Sequence, residues 1–386
     1  MLSLKKSPLP ALAGLLAVSV IGVPVLAAAA TAGPQMPQAK PVKWSSLKGP
    51  VPRAQTTASP AVTSVTFPGG KATSLLFWMG PKVDDHGYLI SYENATNLSR
   101  NKWSSRNTVD AGKALTEQRP SAASYLSSSG DEVIVAWKAG TAADGAVWYS
   151  IGKANKGGTL SWSPAAAVPG ALTSDGPTVF VPLYSNVFLV TWTVPKSGDI
   201  DYVIGSPAAK GPVHWGPVST LPHAVSGDTP TVAEVSTGLG IGRVYVFWRG
   251  PGSSGSISYS WTPDPVSSFP KWTIPVGLPS GDATAAAPAA EAVGTSNGFP
   301  LLVVYKAPKG TSLRYVTLNQ KGQVTGPRLV PSLMSQYGPA LSEGVLMATS
   351  PHLSKASSAH AVRVRMGPRP VFYLTMRRPC SGCGPL

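Results

Sequence analysis

Three glutamates, Glu234, Glu291 and Glu343, each stand three or four residues into a short apolar segment opened by a proline: Pro230, Pro288 and Pro339. A carboxyl held in such a segment loses hydration, which disfavours its charged form and suits it to act as a general acid. Glu234 and Glu343 share the fourth position after proline. Glu291 holds the third, so strand alternation would turn it to the opposite side. The inert alternative is that all three line a water-filled channel as hydrogen-bonded carboxylates. A second set lies at segment ends. Arg119, Asp175, Asp228 and Asp282 fall in turns leading into apolar segments, and Lys138, Arg249 and Lys306 directly follow Trp137, Trp248 and Tyr305. On one face they would form a ring of cations with a few carboxylates, which suits an acidic sugar or another anion through charge-assisted hydrogen bonds. As ordinary strand ends, the aspartates would only cap turns. Trp148 and Trp261 stand beside Tyr149 and Tyr259, have no equivalent elsewhere in the chain, and are candidate faces for stacking on a sugar.

These residues are positioned by a repeat. Apolar segments ending in an aromatic recur at Trp78, Trp137, Trp192, Trp248 and Tyr305, at intervals of 59, 55, 56 and 57 residues. Each is followed after a turn by a segment carrying Tyr92, Tyr149, Tyr202, Tyr259 or Tyr315. A tryptophan comes 11 to 13 residues later at Trp103, Trp162, Trp215 and Trp272, and the fifth unit lacks it. Pro60, Pro120, Pro177, Pro230, Pro288 and Pro339 open the next segments. Four short strands in a unit of this length specify a propeller blade, since solenoid repeats are shorter or helical. Most of the repeated aromatics belong between blades, as structural demands on every unit.

The two ends of the chain fix the blade count. Pro339 opens a sixth inner strand, and Ala361–Met366 with Val371–Met376 would supply two more, without a tryptophan-bearing outer strand. One stands at the other end: Trp44 lies 16 residues before Pro60, against 17, 15, 15 and 16 in later units. The chain is therefore expected to be all-β, a six-bladed propeller in which the N-terminal strand completes the last blade and leaves no free edge. The propeller spans residues 42–377.

The stretches from Ser91 to Trp103, Ser150 to Trp162 and Ser260 to Trp272 resemble the Ser-x-Asp-x-Gly-x-x-Trp turn of the sialidase-like six-bladed propellers, the BNR or Asp-box repeat proteins. The opening Ser and closing Trp match, while the Asp and Gly are mostly missing or displaced. The resemblance implies a propeller that acts on or binds sugars. That family's catalysis needs an arginine triad, a tyrosine nucleophile paired with a glutamate, and an acid aspartate. Its Phe-Arg-Ile-Pro-like arginine motif has no counterpart here, Arg53 and Arg119 being poor substitutes, so no catalytic residue carries over.

Composition narrows the function. Gly and Pro supply 79 of 386 residues, which excludes a mainly helical protein, and 43% hydrophobic residues with 11 Trp exclude disorder. The formal charge of +15 is spread without a Lys/Arg block, favouring anionic surfaces or polysaccharides over nucleic acid. Lys5 and Lys6, the apolar run Ala11–Ala30 and its small-residue end read as a signal peptide over residues 1–32, with a linker at 33–41. Its removal would leave +13 and no transmembrane anchor. Cys380 and Cys383 in the tail, residues 378–386, lack the partners a zinc site needs and read as a local disulfide or a loose end. No metal or cofactor motif stands out. The expected function is a secreted propeller that binds carbohydrate or another anionic cell-surface polymer without catalysis. The alternative is a divergent sialidase-like glycoside hydrolase.

Overall fold

The computed structural model describes residues 42–376 apart from 71, 86, 129, 141–144, 183–184, 209–210, 236–241, 254, 266–269, 279–281, 294–300, 320–321, 343–344 and 350–368. Residues 1–41, Glu343, Ala361–Met366, Cys380 and Cys383 lie outside the described residues.

The protein is a six-bladed β-propeller. Blade one is built from Ala61–Thr66, Ala72–Asp84, Gly87–Asn97 and Lys102–Trp103, hydrogen-bonded in that order and antiparallel throughout. Blade two repeats the plan with Ser121–Ser127, Gly130–Lys138, Gly145–Ala154 and Leu160–Trp162. The inner strands Ala61–Thr66, Ser121–Ser127, Thr178–Phe180, Thr231–Val235, Ala289–Ala292 and Ala340–Ser342 touch one another in sequence, and the last returns to the first. Proline opens these strands because it fixes φ and needs no partner for a missing N–H. The second strands, exemplified by Phe188–Thr193 and Leu301–Lys306, are buried on both faces and therefore read as continuous apolar runs rather than as alternation.

The repeated aromatics lock neighbouring blades together. Trp103, Trp162, Trp215 and Trp272 meet Tyr373, Tyr92, Tyr149 and Tyr202 of the preceding blade edge-on, with centroids 5.8, 5.6, 5.2 and 5.7 Å apart. Edge-to-face pairs of this kind add about 0.5–1.5 kcal/mol each beyond area burial. Trp44 makes the same contact with Tyr315 at 5.9 Å. The junction between blades four and five has no such tryptophan; Tyr245, Phe247, Tyr259 and Trp261 fill it instead.

Trp44 is thus the outer tryptophan of blade six. It bridges Met376, Lys48 bridges Tyr373, and Gln55–Thr56 pairs with Arg369–Thr375, so the N-terminal segment closes the ring. One strand lies where none was expected: Val345–Thr349 is the second strand of blade six. Val-Leu-Met-Ala-Thr is a fully buried run with no terminal aromatic, so the aromatic-ended pattern passed over it. Among the described residues no helix is long and apolar enough to cross a membrane.

Closure brings one buried charge. Glu93 stands in the register position held by Ser150, Val203, Ser260, Val316 and Leu374 in the other blades, and its side chain is fully buried. Its Oε1 accepts from Nε of Arg53 at 3.0 Å, while Oε2 has no hydrogen-bond partner among the described residues. Burial pushes the carboxyl up from its ordinary value of 4.5, against the pull of Arg53 and Arg106. A raised folded-state pKa gives stability that is full below the unfolded value and is lost as pH rises through the folded one. Glu93→Gln, which mimics the protonated acid, is therefore expected to raise the melting temperature at pH 7 and to leave it unchanged at pH 4. A pair of thermal unfolding curves checks this.

Candidate functional site

The residues immediately before the six opening prolines are Ser59, Arg119, Gly176, Thr229, Ala287 and Gly338. They crowd the mouth of the axis: a β-carbon on Gly338 would lie 2.7 Å from the Ala287 carbonyl and 3.0 Å from Ser59 Oγ. Five are small. The sixth, Arg119, reaches from blade two to blade four, its Nη2 donating to Thr178 Oγ1 and to the Pro230 carbonyl, both at 3.2 Å. The residue keeps some exposure, yet its Nε is fully buried and has no partner in the described structure. Gly176 is required beside it, because a β-carbon there would lie 2.4 Å from the Arg119 carbonyl and 2.8 Å from its Cγ.

Asp228 and Asp175 supply the countercharge to Arg119. Burial lowers the pKa of the guanidinium and the two carboxylates oppose that shift. Burial raises Asp228, which Arg119 and a backbone hydrogen bond from Thr229, at 2.7 Å, partly restrain. Asp175 accepts from Ser174 Oγ at 2.9 Å. The mouth of the axis is therefore filled by a charged plug.

The cations after the aromatics serve as straps between blades. Lys138 donates to the Ser174 carbonyl, in the connection from blade two to blade three, at 3.1 Å. Arg249 donates to the carbonyls of Thr284, Gly227 and Gly252 at 3.1, 3.2 and 2.9 Å. Lys306 is half-buried at the same position of blade five, and burial lowers its pKa. Asp282 is buried and accepts from Tyr305 Oη at 2.8 Å. Burial and Asp282 push the Tyr305 phenol up, which opposes formation of a nucleophilic phenolate.

Glu234 is buried within Thr231–Val235, where Oε1 accepts from the Gly242 N–H at 2.9 Å. Glu291 is half-buried in Ala289–Ala292, opposite Leu302. Trp148 packs half-buried at the junction of blades one and two, cross-strand from Trp137. Trp261 is covered by Arg243, whose Cζ lies 4.4 Å from the ring centroid.

A cavity of about 550 Å³ opens elsewhere, between blades one and two, lined by Tyr92, Arg106, Asn107, Asp110, Thr159 and Trp162 among others. Its origin is local. In blades two and three a continuous strand, Ala166–Thr173 or Ser219–Val225, pairs with the third strand of the blade. In blade one the corresponding strand is broken into Asn107–Thr108 and Leu115–Thr116 by the 3-10 turn Val109–Gly112. Asp110 and Ala111 of that turn are left-handed, with φ of 46° and 48°, a conformation uncommon for alanine. Asp110 Oδ2 accepts from the Ala165 N–H at 3.3 Å and ties the turn to blade two. The floor is fixed by Gly152, which pairs with Trp162; a β-carbon on it would lie 2.9 Å from the indole. Sequence reasoning did not point to this cavity. Its signals were the Tyr149-x-x-Gly152 spacing, repeated as Tyr202-x-x-Gly205, and the Asp110-Ala-Gly112 interruption.

No protein-family model matches the chain, and no curated protein matches it. Solved structures do. An α-L-arabinofuranosidase from Fusarium graminearum aligns with a TM-score of 0.54 and 12% identity over 86% of this chain and 96% of that one. An α-L-arabinanase from Penicillium chrysogenum gives 0.53 and 14% over 85% and 94%. The fucose-recognising lectin of Aleuria aurantia gives 0.50 and 11% over 71% and 79%. The shared feature is the six-bladed propeller. At these identities the likeness establishes the fold.

Proposed function

We propose that this chain is a carbohydrate-binding propeller without catalytic activity, exported from the cytoplasm and related distantly to the sialidase-like propellers. The observation that carries the reading is the cavity between blades one and two, which joins the half-buried Trp162, backed by buried Tyr92, to the polar groups of Arg106, Asn107 and Asp110. Aromatic and polar lining in a cavity of a few hundred Å³ is the general form of a small-ligand site. The Arg119 plug and the raised Tyr305 count against hydrolysis at the axis. Export is supported by the Lys5-Lys6 and Ala11–Ala30 pattern. The distant kinship is supported by a recurring pin between third and fourth strands: Ser150 Oγ donates to the Ser163 carbonyl and Ser260 Oγ to the Thr273 carbonyl, both at 2.7 Å.

A glycan array run beside fluorogenic glycosides tests the function, with binding and no turnover expected. Turnover would favour the hydrolase alternative. Thr159 is exposed on the cavity wall, so Thr159→Trp would fill the mouth without entering the core. We expect it to weaken glycan binding at least tenfold with an unchanged melting temperature. Undiminished binding would move the site elsewhere on the propeller.

A further inference from the structure

Building on the carbohydrate reading, we infer that the cavity between blades one and two is a single site for a carboxylate-bearing sugar, with Arg106 as the residue that takes the carboxylate. Arg106 is exposed on the cavity wall, and its guanidinium makes no hydrogen bond or ion pair among the described residues. The carboxylate it senses is Glu93, which is fully buried and already engaged by Arg53. The fork of Arg106 is thus available to bind a planar carboxylate through two parallel charge-assisted hydrogen bonds. Arg249, by contrast, spends its donors on three backbone carbonyls.

The remaining lining fits the rest of an acidic sugar. Asp110 is held by the Ala165 N–H, and with Asn107 and Thr108 it can accept from or donate to ring hydroxyls. Trp162, half-buried and backed by Tyr92, gives an apolar wall for the C–H face of the ring. The Lys113 N–H donates to the Asp110 carbonyl at 3.0 Å and closes the Val109–Gly112 turn. The site is single because, among the described residues, the 3-10 turn Val109–Gly112 that builds it has no counterpart in another blade, and the other 3-10 turn, Leu98–Arg100, does not line the cavity.

Titration calorimetry with methyl β-D-glucuronide and its neutral counterpart, methyl β-D-glucoside, tests this. The expected result is one site per chain, with the glucuronide bound at least tenfold more tightly. Arg106→Gln should erase that difference, so that the folded variant binds the two sugars equally. Equal affinity for the two sugars, or a preference that survives Arg106→Gln, would overturn the acidic-sugar inference and leave the carbohydrate reading standing. More than one site per chain would overturn the single-site inference. Binding of other glycans on the array with no response to the glucuronide would also sink the inference alone, whereas a silent array would sink the reading beneath it.

Discussion

Deleting residues 42–56 is expected to leave no stable folded monomer. That segment buries Val51, Ala54 and Thr56, packs Trp44 on Tyr315, and caps the edge of Arg369–Thr375. Full burial of one aliphatic or aromatic side chain contributes about 1.5–3 kcal/mol. The loss is therefore on the order of 5 kcal/mol, a large share of the roughly 5–15 kcal/mol of a whole domain. The deletion also removes Arg53, the ion-pair partner of Glu93, and exposes a strand edge that invites pairing with other chains. Size-exclusion chromatography and thermal unfolding check it, with soluble aggregate or unfolded chain expected. A monomer melting within a few degrees of the parent would show that the ring holds without its closing strand.

Arg119→Met should be the most damaging single substitution at the axis, and its cost should grow with pH. Removing the guanidinium takes a charged donor from Thr178 and Pro230, and hydrogen bonds to charged groups are worth about 1.5–3 kcal/mol each. It also takes the countercharge from the half-buried carboxylates of Asp228 and Asp175. Asp228 is already raised by burial with Arg119 in place, so losing the guanidinium raises it further. A carboxyl raised in the folded state stabilises below its unfolded pKa of 3.8 and loses that contribution as pH rises through the folded value. The variant should therefore lose more stability at pH 8 than at pH 5. Urea unfolding at both pH values measures the difference, and a pH-independent loss would show that the plug is held by packing rather than charge.

Much of the fold was legible because a structural demand recurs in every blade. The aromatic-ended second strands, the opening prolines and the outer tryptophans each mark a contact that the ring requires six times, or five where blade five lacks its tryptophan. Trp44 was readable as the closing strand from its distance to Pro60 alone. The site was less legible for the opposite reason. Lys138 and Arg249 fall at one repeat position, which suggested a binding ring; both also meet a structural need that recurs there, donating to carbonyls in the connections between blades. The cavity arises where the repeat fails, at Asp110-Ala-Gly112, and a single irregular turn has no internal counterpart to reveal it. Glu93 was hidden similarly, since its burial depends on Arg53 arriving from a segment 40 residues away.

The most direct measurement is a crystal structure of the protein with a glycan selected on the array. The sugar is expected between blades one and two, with its ring against Trp162 and its polar groups at Arg106 and Asp110, and with Arg119 still bonded to Thr178 and Pro230. A sugar bound at the axis, with Arg119 displaced and carboxyls flanking the glycosidic bond, would contradict the non-catalytic reading and place the function where the hydrolase alternative requires it.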